Sequence, residues 1–281
     1  MTIAVTGATG QLGQLIIEKL KQKVSDSEIV ALVRTPAKAE HLGVSVREAD
    51  YTRPETLDDA LQGIDTLLLI SGNEIGQRAK QHANVIKSAV KNGVKHIVYT
   101  SLLHADKSPL NLAPEHIETE NDIKKSGLSY TILRNGWYSE NYTASVGPAL
   151  GLGAFYGSAS EGKISSAPRE DYAEAAVVVL TSPGHEGKIY ELAGDEYYTL
   201  AELAGEISRQ TGKDIPYRDI PESDYAAALK SAGLPEGFAD AIASWDTGAS
   251  QDALFDDSHQ LSALIGRATT PISVSVNKVI S

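Results

Sequence analysis

The sequence predicts an α/β fold: a parallel sheet doubly wound with helices, followed by a smaller, mainly helical C-terminal lobe. Three observations carry that expectation. The chain opens on an apolar strand, Ile3-Ala-Val-Thr6, which enters a glycine-rich turn and then a helical stretch from Gln14 to Leu20. Continuous apolar runs then alternate with helical patterns as far as residue 135, which is the signature of buried parallel strands joined by crossover helices. After residue 135 the texture changes to an aromatic and polar segment, a Gly-rich passage and mostly helical patterns. The expected division is therefore a sheet domain over 1–135 and a lobe over 136–281, with segments around 163–193 returning to the sheet.

The first turn is the most legible feature. Glycines stand at 7, 10 and 13, spaced G-x-x-G-x-x-G. Gly7 allows a tight exit from the strand. Gly10 lacks a Cβ, so a diphosphate can approach the backbone, and Gly13 lets the helix pack closely on the strand. The unpaired N–H groups of the helix's first turn, with the positive end of its dipole, then face the phosphates. This strand–turn–helix context is what makes the fold a Rossmann-type dinucleotide binder rather than an ordinary βα turn.

The next strand, Glu28-Ile-Val-Ala-Leu-Val-Arg34, ends on an arginine 21 residues past Gly13. At this position an acid binds the ribose 2′-hydroxyl of NAD, and an arginine accommodates the 2′-phosphate of NADP. Arg34, with Lys38 nearby, points to NADP(H). Ser45–Asp50 reads as the third strand, with Asp50 available to an adenine amino group or to cap the turn. Thr52-x-x-Glu55 has capping-box spacing and Pro54 follows, so a helix to about Leu61 is expected. Asp65–Ser71 is the fourth strand. A helix over 76–92 has Ala79, Ala83, Ile86 and Ala89 on one face and Gly93 as its stop. His96–Ser101 is the fifth strand, Pro114–Ser126 a helix and Ser129–Arg134 the sixth strand. Beyond them, Arg169–Leu180 reads as a helix, Lys188–Ala193 as a strand and Thr199-x-x-Glu202 as a capped helix start. Residues 222–265 are expected to be mainly helical.

Composition narrows the function classes. The chain has 281 residues, of which 42% are hydrophobic, enough for a large core. Its formal net charge is −12, which argues against a nucleic-acid binder that depends on Lys/Arg clusters. It has no cysteine, so disulfides, thiolate metal sites and Cys nucleophiles are excluded. Apolar runs such as Thr66-Leu-Leu-Leu-Ile70 are far too short to span a bilayer, and no signal peptide is visible. A cytoplasmic location is the default expectation, and a homodimer stays open.

Several motifs fail on physical grounds. Gly157-Ser-Ala-Ser-Glu-Gly-Lys163 matches a P-loop by pattern, but Ile164 follows where magnesium needs a hydroxyl. No G-x-S-x-G elbow is present. His116 and Glu120 stand four apart on one helix, but no third metal ligand has sensible spacing, so no metal is expected and His116 reads as a cleft or surface residue. No tyrosine has a lysine four residues on, so the pair that lowers a phenol pKa for carbonyl reduction is missing.

The segments Thr6–Gly13, Leu32-Val-Arg34, Asp50-Tyr51, Leu69-Ile-Ser71 and Leu133-Arg-Asn-Gly136 resemble the NmrA-like group of atypical short-chain dehydrogenases. Tyr99–Asp106 and Arg134-Asn-Gly-Trp-Tyr-Ser-Glu-Asn-Tyr142 are similar to its quinone-reducing members, and the likeness runs along essentially the whole chain. The resemblance implies an NADPH-dependent, flavin-free, two-electron reduction of a quinone. It places Gly7, Ala8, Thr9, Gly10, Gln11 and Leu12 around the pyrophosphate and Arg34 at the 2′-phosphate. Ser71, Gly72, Glu74 and Gln77 border the ribose and nicotinamide. Tyr138, Ser139, Glu140, Asn141, Tyr142, Thr143 and Arg169 close the cofactor cleft. For the substrate, Trp137, Tyr138 and Tyr142 offer flat walls, although aromatics after a strand also serve as inter-lobe core. Asn141, Tyr138 and His104 are the candidate catalytic contacts to the quinone oxygens. The group also holds NADP(H)-binding redox sensors that act through a protein partner, and that is the alternative function. Nucleotide-sugar epimerase chemistry wants the missing Tyr–Lys pair.

Overall fold

The computed structural model describes residues 1–281. In chain order the elements are β1 (Ile3–Thr6), α1 (Gln11–Leu20), β2 (Ile29–Val33), β3 (Ser45–Glu48), α2 (Pro54–Ala60), β4 (Thr66–Leu69), α3 (Arg78–Lys91), β5 (His96–Leu102), α4 (Ala113–Lys125) and β6 (Ser129–Asn135). There follow α5 (Ser139–Thr143), α6 (Val146–Leu152), β7 (Phe155–Gly157), α7 (Arg169–Thr181), β8 (Ile189–Leu192), α8 (Leu200–Thr211) and β9 (Tyr217–Asp219). The chain ends with α9 (Glu222–Ser231), α10 (Glu236–Ala249), α11 (Gln260–Ile265) and α12 (Ile272–Ile280).

The chain forms two compact units. The first comprises Met1–Asp106, Leu112–Asn135 and Arg169–Glu191, and the second comprises Lys107–Asn111, Gly136–Pro168 and Leu192–Ser281. The first is built on a seven-stranded sheet of order β3-β2-β1-β4-β5-β6-β8. Registers such as Ile3↔Ile29, Ile3↔Thr66 and His96↔Ser129 are parallel. The last strand joins in the same sense, since Ile132 N–H donates to Lys188 O at 2.9 Å and Gly136 N–H to Leu192 O at 2.7 Å. This is the Rossmann-type order, and its inner strands β1, β2 and β4 are buried on both sides, as their uninterrupted apolar runs require.

One face of the sheet packs Leu32, Leu67, Leu69, Ile97 and Ile132 against Leu57 from α2 and Leu61 just after it, Val85 and Ile86 from α3, and Ile123 from α4. Each such side chain contributes about 1.5–3 kcal/mol on leaving water. Elsewhere in the unit α1 packs against α7, joined at the rim by the Lys19–Glu170 ion pair at 2.5 Å.

Two local expectations are corrected. The Thr52–Glu55 capping box does not form. Asp50 takes Thr52 instead, accepting from its N–H at 2.9 Å and from its hydroxyl at 2.7 Å, so Asp50 caps the turn and Arg53 becomes the residue before α2. The inward stripe of α3 is also different. Ile86 and Ala89 are buried as expected, with Val85 beside them, but in the first turns Arg78, Gln81 and His82 point inward while Ala79 and Ala83 are only half-buried. Hydrogen bonds to the loop after β4, described below, explain why polar groups occupy that face.

In the second unit β7 and β9 pair in parallel, Phe155 opposite Tyr217. Tyr225 and Ala226 of α9 pack on Ala243 of α10. The expected capping box at α8 forms, with Glu202 N–H donating to Thr199 Oγ1 at 3.2 Å and Thr199 N–H to Glu202 Oε2 at 2.8 Å. The P-loop-like string from Gly157 to Lys163 is a packing element. A Cβ at Gly162 would stand 2.0 Å from Ala249 O, and Lys163 Nζ lies 4.8 Å above the Tyr197 ring and 5.1 Å above Phe255.

Candidate functional site: a dinucleotide cradle

The glycine loop follows β1 and has the geometry its spacing anticipates. Gly7 has φ +58°, a left-handed conformation that disfavours any side chain. Its carbonyl accepts from Gly10 N–H at 2.8 Å and closes the turn. A Cβ on Gly13 would fall 2.3 Å from Gly7 O, so only glycine lets α1 start this close to the strand. Gly10 precedes α1, and no side chain caps the helix and no acid stands in its first turn. The N–H groups of that turn therefore lack partners within the helix, and nothing anionic repels a phosphate. Gly10 and Gln11 are exposed, Ala8 and Leu12 are buried, and Thr9 O is tied to Gln14 Nε2 at 2.8 Å. This is a cradle that fits a diphosphate.

Arg34 sits just past β2, exposed, and Lys38 lies on the exposed turn after it. The loop after β4 comes to Arg34, with Nη1 meeting Glu74 Oε1 at 3.2 Å. That loop is held from below. Ile70 N–H donates to Thr6 Oγ1 and Ser71 N–H to Thr100 Oγ1, both at 2.9 Å. Gly72 is gripped on both backbone groups: its N–H donates to His82 Nε2 at 3.0 Å, and its carbonyl accepts from Arg78 Nε at 2.7 Å. Because Nε2 accepts, His82 carries its proton on Nδ1 and gives it to Thr119 Oγ1 at 3.0 Å. Burial, with Arg78 adding, pushes the His82 pKa down to about 3, so the ring is neutral. Gln77, at the end of this loop, donates its N–H to Glu74 O at 3.0 Å.

The polar residues of α4 have other duties. His116 is buried, not a cleft or surface residue, because Nδ1 is within 2.7 Å of the buried Tyr99 hydroxyl. Glu120 is buried and receives Arg134 in a bidentate pair, Nε to Oε1 and Nη2 to Oε2, both at 2.9 Å. Ser101 Oγ donates to the same carboxylate at 2.7 Å. Burial pushes the Glu120 carboxyl up, but the Arg134 and Ser101 hydrogen bonds outweigh it and hold it below its usual range. Arg134 Nη1 also reaches Asp106 and, at 2.8 Å, Glu191. His104 has φ +50°, and its N–H donates to Glu191 Oε2 at 2.8 Å, so this network also shapes the His104 turn. Arg169 is the half-buried first residue of α7.

In the second unit Trp137–Thr143 is a fixed ledge. Tyr138 bridges Ala167 in parallel, and Ser139 N–H donates to Ala167 O at 2.9 Å. Ser139 Oγ lies 2.9 Å from Ser166 Oγ, which is 2.7 Å from Tyr198 OH. Glu140 and Tyr138 are half-buried, Asn141 is exposed and Thr143 is buried. Tyr142 is buried and its hydroxyl donates to Asp246 Oδ1 at 2.9 Å. Burial and the Asp246 carboxylate push that phenol well above its ordinary value. Burial also raises Asp246, to about 6. Trp137 meets Trp245 edge to face at 5.6 Å between ring centroids, and Trp245 meets the exposed Phe238 at 6.2 Å. Trp245 Nε1 donates to Asn111 Oδ1 at 2.9 Å. Sequence reading singled out Trp137 but missed Trp245 and Phe238. Their seven-residue spacing on α10 puts them on one helix face, the only local signal available.

The comparisons agree with this geometry. A family model described as NAD(P)H-binding matches residues 7–183. Quinone oxidoreductase 2 of Escherichia coli is 58% identical over 278 residues, covering 98% of this chain and 97% of that protein. A crystal structure of an NADPH-dependent quinone oxidoreductase from Escherichia coli complexed with NADPH superposes with a TM-score of 0.98 at 57% identity, covering 100% of both chains. The Citrobacter triphenylmethane reductase complexed with NADP(H) follows at a TM-score of 0.96 and 38% identity, covering 99% of both chains. With its uncapped glycine cradle and these likenesses over the full length, the chain belongs to the NAD(P)H-binding family, in its NmrA-like branch.

Proposed function

We propose that this protein is an NADPH-dependent quinone oxidoreductase that works without flavin. The observation that carries the reading is on α4. Where related reductases need a Tyr-x-x-x-Lys pair, this helix presents His116 and Glu120, both buried and both bonded inside the unit. An acceptor served here must need little acid catalysis. A quinone fits, because its reduced anion is delocalised and takes a proton from water or a weak acid. The likeness to proteins named as quinone oxidoreductases supports the same acceptor class.

The uncapped first turn of α1, with Gly7–Leu12, holds the diphosphate, and Arg34 holds the 2′-phosphate. Ser71–Gln77 borders the ribose and nicotinamide, and Tyr138–Thr143 and Arg169 are the further residues assigned to the cofactor in this reading. When bound, the nicotinamide supplies a hydride to the acceptor. The chain's own part is positioning, which contributes much of the rate for such a reaction. Trp137, Tyr138 and Tyr142 offer rings to a flat acceptor, and Asn141, Tyr138 or His104 contact its oxygens. Tyr142 contributes its ring only, because its hydroxyl is committed to Asp246 and its pKa is raised.

The net charge of −12 supports a small-molecule acceptor over nucleic acid. No helix is long and apolar enough to cross a membrane. A cytoplasmic location belongs to the same reading. The test mixes the protein with NADPH and a simple benzoquinone and follows cofactor oxidation. Saturable turnover is expected. Tight NADPH binding without turnover at saturating quinone would leave a redox sensor in its place.

A further inference from the structure

Arg34 and Glu74 are 40 residues apart in sequence, and their strands are not neighbours, since β1 lies between β2 and β4. The fold nevertheless joins their side chains at 3.2 Å. The other Glu74 oxygen accepts from Gln81 Nε2 at 2.7 Å, which fixes the carboxylate as it faces the guanidinium. In dinucleotide folds an acid that accepts from the ribose 2′-hydroxyl and an arginine that receives a 2′-phosphate are alternatives. This chain brings both to one place, from two different strand ends.

We propose that Arg34 and Glu74 read the ribose 2′ position together, and that Glu74 is the residue that sets how strictly NADPH is preferred over NADH. A 2′-phosphate and the Glu74 carboxylate are two anions that want the same guanidinium. NADPH therefore has to displace Glu74 from Arg34, and the carboxylate then stands close to the phosphate and repels it. NADH makes no such demand. The ion pair persists, and Glu74 accepts from the 2′-hydroxyl. The exposure of the two side chains, 70% for Arg34 and 48% for Glu74, decides that the exchange is open. A solvated pair of this kind is weak, while phosphate on arginine is a strong, charge-assisted contact.

The inference rests on Arg34 as the 2′-phosphate residue, and the experiment separates the two claims. NADPH and NADH are titrated into the wild type, Glu74→Gln and Arg34→Ala, reading dissociation constants by nucleotide fluorescence, with a melting curve for each variant. Gln keeps the shape and the Gln81 contact but not the charge. Glu74→Gln is expected to bind NADPH about threefold tighter and NADH about threefold weaker. Arg34→Ala is expected to lower the preference for NADPH. If Glu74→Gln weakens both cofactors alike, or leaves their ratio unchanged while Arg34→Ala lowers it, Glu74 is only a loop anchor or a common ribose contact and the proposal falls alone. If Arg34→Ala leaves the ratio unchanged, the assignment of Arg34 falls and takes the proposal with it.

Discussion

At the carboxyl ends of β5 and β6, charged groups meet partners inside the sheet unit. Arg134 reaches Glu120, Asp106 and Glu191, and Ser101 completes the Glu120 carboxylate. At the carboxyl ends of β1 and β2 the arrangement is the reverse. The first turn of α1 is uncapped, Gly10 and Gln11 are exposed, and Arg34 is paired with the solvated carboxylate of Glu74. Both regions are polar and both lie along the same edge of one sheet. The first has its hydrogen bonds filled from within, and its chemistry is stability. The second keeps donors open, and its chemistry is recognition. Counting satisfied donors and acceptors thus separates the two where residue type does not.

That contrast can be broken by substitution. The largest effect is expected from Glu120→Ala, which leaves Arg134 without its bidentate partner in a buried site. Urea unfolding should show a loss of about 3–4 kcal/mol, while NADPH affinity of the folded protein stays within about twofold. A loss below about 1 kcal/mol would mean the network is not what holds these strands.

A pH series gives the next effect. His82 has its pKa lowered to about 3, first by burial and then by Arg78. The unfolded chain binds this proton near the ordinary imidazole value of 6.5, so His82 contributes stability that is fully present above pH 6.5 and is lost as pH falls toward 3. Its share between pH 6.5 and 5 is about 2 kcal/mol. His82→Gln should flatten the stability profile by that amount. A profile parallel to the wild type would show that the ring is not buried neutral.

The smallest effect belongs to the open region and should appear in binding, not folding. A Cβ on Gly10 would be 3.1 Å from Gly7 O, tight but short of a backbone clash. Gly10→Ala is expected to change unfolding free energy by no more than about 0.5 kcal/mol. It should weaken NADPH binding about tenfold, near 1.4 kcal/mol, because the methyl group would stand where the proposed cradle receives the diphosphate. If stability falls and affinity does not, the loop is a structural turn.

The parts of this molecule visible in its sequence are those encoded locally. The inner strands β1, β2 and β4 show as unbroken apolar runs because both of their faces are covered, and the glycine loop shows because Gly10 and Gly13 answer to the nearby Gly7 carbonyl and Gly7 to its own positive φ. What stayed hidden was set by tertiary competition. Thr52 had the spacing of a cap, but Asp50 was nearer and stronger. His116 read as accessible because nothing in its own helix announces the Tyr99 hydroxyl one strand away. The Arg34–Glu74 contact joins two strand ends, and Trp245 reaches Trp137 from more than 100 residues downstream. Arg78, Gln81 and His82 broke the apolar stripe of α3 for the sake of a loop that precedes the helix.

The interleaving of the two units bears on how the chain is made. The seventh strand, Ile189–Leu192, belongs to a sheet whose other six strands end at Asn135. Between them comes a stretch of the other unit, Gly136–Pro168. During synthesis the sheet emerges with β6 as an unpaired edge, and it waits for α7 and β8 while foreign segments pass. An open edge of apolar strand is a hazard for mispairing. Nascent chains stopped just after Asn135 should therefore aggregate, and those extended past Leu192 should not, which makes ribosomal pausing within 136–192 costly for this protein.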